Sequence, residues 1–376
     1  MASTFKNLSP NDKISTKTLL HEAIPLTGTI LSGTYSDNNI KNYSHGMFQS
    51  VFDYPFLSSS ANHIFDITFG YSSDSGARSS TTAAAAQKVK KTNIYNQMAQ
   101  VLVGYDKTGS IQQFDKDGNL SDGTKHKENI FLSFSRLLVK DEIKRGSFQM
   151  TLGVSGSYAN SHNRSIIIKD QGAVNEYRIN SPVGEYGILY ASNSLGQTNI
   201  EPANYSTDSG LTEFAPCGLI YYQAGVVVLS GSILTLSSSG GILTGSSGGV
   251  GYRFNYGADS GGFTFHDALT GSTIETAANL LRRRIKNIQF NNTVELNSSI
   301  YFCRINHNEY NYSANPTYLS QSQIRVKEQS SDVPISYITT VGLYSADNQL
   351  LAVGKLSEPL RKDPTIEYTL RARLDY

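Results

Sequence analysis

The sequence predicts a mainly β protein of antiparallel, β-sandwich-like domains with one or two helices, over about residues 80–103 and 276–287. Three observations predict it. Short apolar or alternating runs recur along the chain, bounded by Gly, Ser, Asn or Asp. The 23 Tyr and 16 Phe supply core-forming area in residues that favour strands. Only two segments combine a helical period with good helix formers.

Residues 1–60 are polar and punctuated by turn formers, yet carry aromatics such as Phe48, Phe52, Tyr54 and Phe56. They read as an extended arm that orders on a neighbour. Residues 63–70 (HIFDITFG) alternate and end in Gly, the pattern of a half-buried strand. Over 79–104, Ser79, Ser80, Thr81 and Thr82 offer capping hydroxyls and Ala83, Ala84, Ala85 and Ala86 favour helix. Ile94, Met98, Val101 and Leu102 then form an apolar face, and Gly104 ends the helix. Residues 106–109 and 115–118 are Asp/Gly turns in a surface meander. Strands over 130–134 and 147–152 flank a charged turn at 140–146.

From 153 to 275 short strands (166–168, 187–190, 218–222, 225–229) alternate with turns at the spacing of an all-β unit. The Gly/Ser-rich stretch 237–251 reads as a hairpin or loop at a contact surface, or as a flexible linker. A second helix follows with the basic cluster Arg282, Arg283, Arg284 and Lys286. Beyond it lie a hairpin over 341–356, turning at Ala346, Asp347 and Asn348, and a bend bracketed by Pro359 and Pro364. In the last run Tyr368, Leu370, Ala372, Leu374 and Tyr376 alternate with polar residues, which ties the C-terminus into a sheet. The expected organisation is an arm over 1–60, a β-rich domain over 61–275 with an inserted helix, and a C-terminal helix plus sandwich-like region over 276–376.

Composition then narrows the function. Thirty-two basic against 31 acidic residues leave a net charge of +1, so no global field recruits nucleic acid or an anionic membrane. The longest apolar runs, 225–229 and 350–353, are far shorter than a membrane span. The N-terminus holds no signal-peptide core, and two cysteines make no disulfide framework; synthesis in the cytoplasm is the expectation.

No catalytic constellation emerges. His21-Glu22 lacks the second histidine of a zinc-protease helix, and Pro25 would break that helix. The loop from Asp115 fails the calcium pattern, with Leu120 where Gly and His126 where Glu would stand. Nucleotide-binding and nucleophile-elbow motifs are absent. Cys217 and Cys303 read as core thiols, and the seven histidines lack ligand spacing. The arginine cluster reads as a solvated helix face or a contact for an acidic partner. The expectation is a protein that is no enzyme and holds no cofactor or metal.

One resemblance adds to this. The runs FNNTVELNS (290–298), YFCR (301–304), NEYNYSANPTY (308–318) and YITTVGLYSADNQLLAVGKLSEPL (337–360) resemble virion structural proteins of contractile-tailed, T-even-like phages, notably of marine bacteria. The runs KDEIKRGSF (140–148), GEYGILY (184–190) and GLIYYQAGVVVL (218–229) are similar to the middle of the same group, so the resemblance covers roughly 130–376. It implies a tail-associated component of the virion, in the baseplate, that assembles with itself in symmetric copies and with other tail proteins. A neck, collar or sheath-associated protein is the alternative, as is a receptor-binding fibre module that stacks a host-surface glycan on Tyr221 and Tyr222. Candidate interface residues are Tyr310, Tyr312, Tyr318, Arg282, Arg283, Arg284 and Tyr376, because rigid tyrosines bury area at low entropy cost.

Overall fold

The alternating and apolar runs form strands, and the chain is mainly β. The computed structural model describes residues 5–25, 37–79, 85–120, 123–154, 165–193, 200, 214–235, 242–243, 269–270, 273–312, 319–320, 323–324, 331 and 333–376. In chain order the strands are β1 (Lys13–Pro25), β2 (Ile40–Asn42), β3 (Gln49–Phe52), β4 (His63–Tyr71), β5 (Phe114–Asp115), β6 (Lys125–His126) and β7 (Glu128–Phe134). Then come β8 (Glu142–Ile143), β9 (Gln149–Gly153), β10 (Ser165–Lys169), β11 (Arg178–Ser181), β12 (Gly184–Asn193), β13 (Ala215–Tyr221) and β14 (Val226–Ser230). The last are β15 (Ile285–Ile305), β16 (Leu319–Ser320), β17 (Gln323–Ile324), β18 (Ser336–Tyr344), β19 (Leu350–Lys362) and β20 (Tyr368–Asp375). The helices are α1 (Gly76–Ser79), α2 (Ala85–Leu102), α3 (Arg136–Val139) and α4 (Ile274–Arg282).

Two compact units divide the chain. A terminal unit joins Met1–Leu20 to Glu295–Tyr376, and a central unit is His21–Val294. This differs from the expected boundaries at 60 and 275. Strands β2 and β3, inside the expected arm, pair into the central sheet next to β4, with Val51 fully buried. They are short, of three and four residues, and half or more of each is polar, so their sequence signal is weak.

In the central unit an antiparallel sheet runs β15–β9–β10–β12–β13–β14–β7–β4–β3–β2. Strands β13 and β14 are buried almost throughout, which explains their continuous apolar sequence: both faces are covered. Phe134 on β7 lies far from β15 along the sheet, yet its ring is 5.2 Å from Phe290 on β15 and 6.2 Å from Phe148. The sheet therefore folds over itself in a sandwich-like way, with these rings between the layers.

Helix α2 lies on β4. A Cβ at Gly70 would stand 2.8 Å from the Lys91 carbonyl and the Tyr95 nitrogen, so only glycine admits the helix backbone this closely. The buried face is Lys91, Tyr95, Ala99 and Leu102, with Ile94 beside it, whereas Val101 is exposed. The expected face therefore holds at Ile94 and Leu102, with Met98 partly buried against the core, and differs at Val101, while a lysine occupies one of the inward positions. Burial lowers the Lys91 pKa to about 8, and its ammonium donates to the Leu269 carbonyl. The Tyr95 hydroxyl donates to the His126 carbonyl at 2.9 Å, and its ring meets Phe114 edge-on. Gly104, at φ +93°, ends the helix as expected, its N–H donating to Ala99.

Two further boundaries move. The Thr273 hydroxyl caps α4 by accepting from the Thr276 N–H, and the helix stops at Arg282, short of 287. After a shift in register between Ile285 and Asn287, Ile288, Phe290 and Asn292 alternate inward at the start of β15, a strand period that overrides the helix formers. The charged turn at 140–146 contains β8, which pairs with β15 and buries Ile143; it turns at both ends, at Lys140 and Asp141 and again at Gly146. The Gly/Ser-rich stretch lies outside the described residues apart from Ile242 and Leu243, both buried.

Candidate assembly interface

The terminal unit contains a three-stranded antiparallel piece and a separate hairpin. Strand β15 has β1 on one side and β20 on the other. Ser299, Tyr301, Cys303 and Ile305 stand opposite Leu374, Ala372, Leu370 and Tyr368. Along β20 these inward positions are half-buried, while Thr369, Arg371, Arg373 and Asp375 are exposed, so the expected two-faced strand is present. Among the described residues strands β18 and β19 pair only with each other. Their turn falls at the expected Ala346, Asp347 and Asn348, with Asn348 at φ +60° and the Ser345 N–H donating to the Gln349 carbonyl. The expected bend begins later than Pro359, which stays within β19 close to a shift in register.

The described residues of this unit form almost no apolar core. Among the described residues its only buried apolar side chain is Ile305, at 9% exposure. Its other buried groups are Asp12, Ser298, Ser299, Ser336, Lys362 and Asp363. Polar contacts hold it together instead. The fully buried Lys362 ammonium donates to the carbonyls of His307 (3.0 Å) and Asp363 (2.8 Å) and to Asn311 Oδ1 (2.6 Å). Arg304 meets Asp12 at 2.7 Å, and Asp12 in turn accepts from the Ser9 hydroxyl and N–H, which hold its carboxyl below the usual range. Meanwhile Ile14, Leu19 and Leu20 on β1, Tyr337 and Tyr344 on β18, and Leu350, Leu351 and Val353 on β19 are exposed; Leu351 reaches 70% and Val353 62%.

The tyrosines proposed from sequence belong to this unit. Tyr312 and Tyr376 are well exposed, and the Tyr376 backbone exchanges two hydrogen bonds with Asn297. Tyr310 is 45% exposed and sits at φ +55°, its carbonyl accepting from the Ser336 hydroxyl. Tyr318 lies outside the described residues. The hairpin residues Leu351 and Val353 were not singled out, although the apolar run at 350–353 was their signal.

The arginine cluster is elsewhere, in the central unit, and is no solvated face. Arg282 and Arg284 are almost wholly buried, and Arg283 is half-buried. Arg282 donates to Asn279 and Arg284 to the Gly153 carbonyl. The junction between α4 and β15 folds these side chains inward, where backbone and amide oxygens receive them, a setting that a run of charge in a sequence cannot reveal. The tyrosine platform of the fibre reading also fails: Tyr221 and Tyr222 are buried, and the Tyr222 hydroxyl reaches the Asp170 carboxylate at 3.3 Å.

Groups with potential chemistry serve packing. Burial raises the Cys217 thiol pKa far above its usual range and that of half-buried Cys303 to a lesser degree. His126 is buried, its pKa lowered to about 4, so the ring is neutral. His21 contacts Thr293, His63 contacts Asp66 and His307 contacts Glu367, each by itself. Among the described residues no three His, Cys, Asp or Glu side chains converge on a metal position. A polar depression of about 250 Å³ borders Lys116, Lys125, Lys127 and Ser232, but Lys125 and Lys127 are held by Asp115 and Asp74. Compared with known proteins, the chain matches no family model, no curated protein and no solved structure.

Proposed function

We propose that this chain is a structural subunit of a contractile phage tail, in the baseplate, acting through protein–protein contacts and without catalysis. The observation that carries this reading is the terminal unit: extended strands with apolar side chains and free edges facing outward, and no core of their own. Surfaces of that kind are completed by neighbours. The near-neutral charge supports it, since packing at fixed geometry against protein requires no long-range attraction. The resemblance over roughly 130–376 supplies the kind of particle. The central unit, with its large aromatic core, supplies a self-sufficient fold of its own.

Purified virions should contain the protein by mass spectrometry, and gold-labelled antibody should mark the baseplate end of the tail. Absence from the particle would end the reading. Label at the neck or along the sheath would transfer the same structural role to those parts.

A further inference from the structure

We propose that the cover of the terminal unit is the terminal unit of other copies of this chain, so that this part completes its packing only in a homo-oligomer. The inference rests on the structural role proposed above and names its first partner. Three observations favour a copy over a different protein.

The first is charge. The terminal unit carries 11 Lys and Arg against 10 Asp and Glu, and the signs alternate along its strands: Arg371 and Arg373 run beside Asp375, and Lys355 and Arg361 beside Glu358. A one-signed surface repels its own copy and selects an opposite partner. This surface does neither, as an isologous contact requires.

The second is the edges. Among the described residues β1 and β20 are the outer strands of the three-stranded piece, and both strands of the hairpin have a free edge. Strands β1 and β19 are each 13 residues long. A long open edge invites a strand of comparable length, and each copy brings the same set.

The third is the mutual deficit. A two-stranded hairpin is marginal alone in water. At strand dimensions of about 3.4 Å per residue and 4.8 Å between strands, each hairpin face offers on the order of 300–400 Å². With β1 and β20 added, the unit reaches roughly the 800 Å² per partner of a specific interface. A copy that covers Leu351 and Val353 has its own equivalents covered in return.

The test uses the full chain. Analytical ultracentrifugation and native mass spectrometry from low to high micromolar concentration should show one closed oligomer, and hydrogen exchange should find the β18, β19 and β20 amides protected in it. The double variant Leu351→Glu with Val353→Glu should weaken association at least about tenfold and expose those amides, while the melting of the central unit is unchanged. Val101→Glu, on the exposed face of α2, should leave the oligomer intact. A monomeric wild type, or a double variant that associates as tightly as wild type, would overturn the proposal. The two readings fail separately: a monomer found in virions removes self-association and leaves the tail role, whereas an oligomer absent from virions supports self-association and removes the tail role.

Discussion

The central and terminal units are both antiparallel β structures, but they are stabilised by opposite means. In the central unit Phe65, Phe69, Phe131, Phe134, Tyr221 and Val228 are buried in one core, and buried polar groups such as Lys91 and Asp170 sit at its margins with oxygen or N–H partners. In the terminal unit the buried set among the described residues is polar apart from Ile305, and Tyr337, Tyr344, Leu350, Leu351 and Val353 of the hairpin are exposed. The difference shows that alternation in a sequence specifies a strand and its two faces without specifying what covers them. A core inside the chain makes a unit self-sufficient. Its absence makes the unit a surface.

The strongest way to break this comparison is through the central core. Phe134 contacts Phe65, Phe148 and Phe290 at ring-centroid distances of 5.2 to 6.2 Å, so it joins the layers. Phe134→Ala should destabilise the central unit by about 3–5 kcal/mol, the sum of lost transfer energy and an unfilled cavity. Chemical denaturation followed by circular dichroism measures it. A loss below about 1 kcal/mol would mean that the layers are not packed on this ring.

The matching test in the terminal unit concerns Lys362. Its buried ammonium donates to three oxygens and ties their segments together. Lys362→Met keeps much of the volume but removes that shared donor, at about 1–3 kcal/mol. Hydrogen exchange should rise over 306–311 and 361–366 and remain unchanged in β13 and β14. Equal loss of protection in both regions would show that the two units unfold as one.

A pH titration sharpens the central side. Asp170 is buried, and burial pushes its pKa up to about 7, although it accepts from the Gly146 and Phe148 N–H groups. The unfolded carboxyl titrates near 4, so between about pH 4 and 7 the folded state holds a proton that the unfolded chain has released. This contribution is complete below the unfolded value and is lost as pH rises through 7, at up to roughly 1.4 kcal/mol per pH unit. Asp170→Asn should flatten that slope. Stability that instead rises with pH over this window, and ceases to do so in the variant, would show that the backbone donors hold the carboxylate ionised.

Much of the fold was legible. The strands at 63–70, 130–134, 166–168, 187–190, 218–222 and 225–229, the hairpin near 350 and the final strand follow from period-two patterns and turn residues, which are local properties. What was not legible depends on distant neighbours. The helix face was legible at Ile94, Met98 and Leu102, but not at Lys91, which points inward toward a carbonyl 178 residues away in the chain. The arginines looked solvated because their partners, Gly153 and Asn279, are ordinary residues with no signature of their own. Tyr221 and Tyr222 looked like a platform, yet they lie in and at the end of a strand covered on both faces. The interface was visible only in part. Tyr312 and Tyr376 were named for chemistry, whereas Leu351 and Val353 become conspicuous only once no core covers them.

The smallest effect discriminates most finely between the units. Val101 on α2 and Val353 on β19 are 58% and 62% exposed, so the bare chain treats them almost alike. Threonine at either position keeps the β-branched shape and should change unfolding stability by no more than about 0.5 kcal/mol, as expected of exposed sites. Association separates them. If the central unit is self-sufficient and the terminal one is not, Val353→Thr should shift the oligomer's dissociation constant several-fold, while Val101→Thr leaves it unchanged. Sedimentation equilibrium on the two variants side by side reads that ratio. Equal shifts would mean that the helix face is buried in the assembly too, and the contrast between a complete unit and an incomplete one would then fail on its central side.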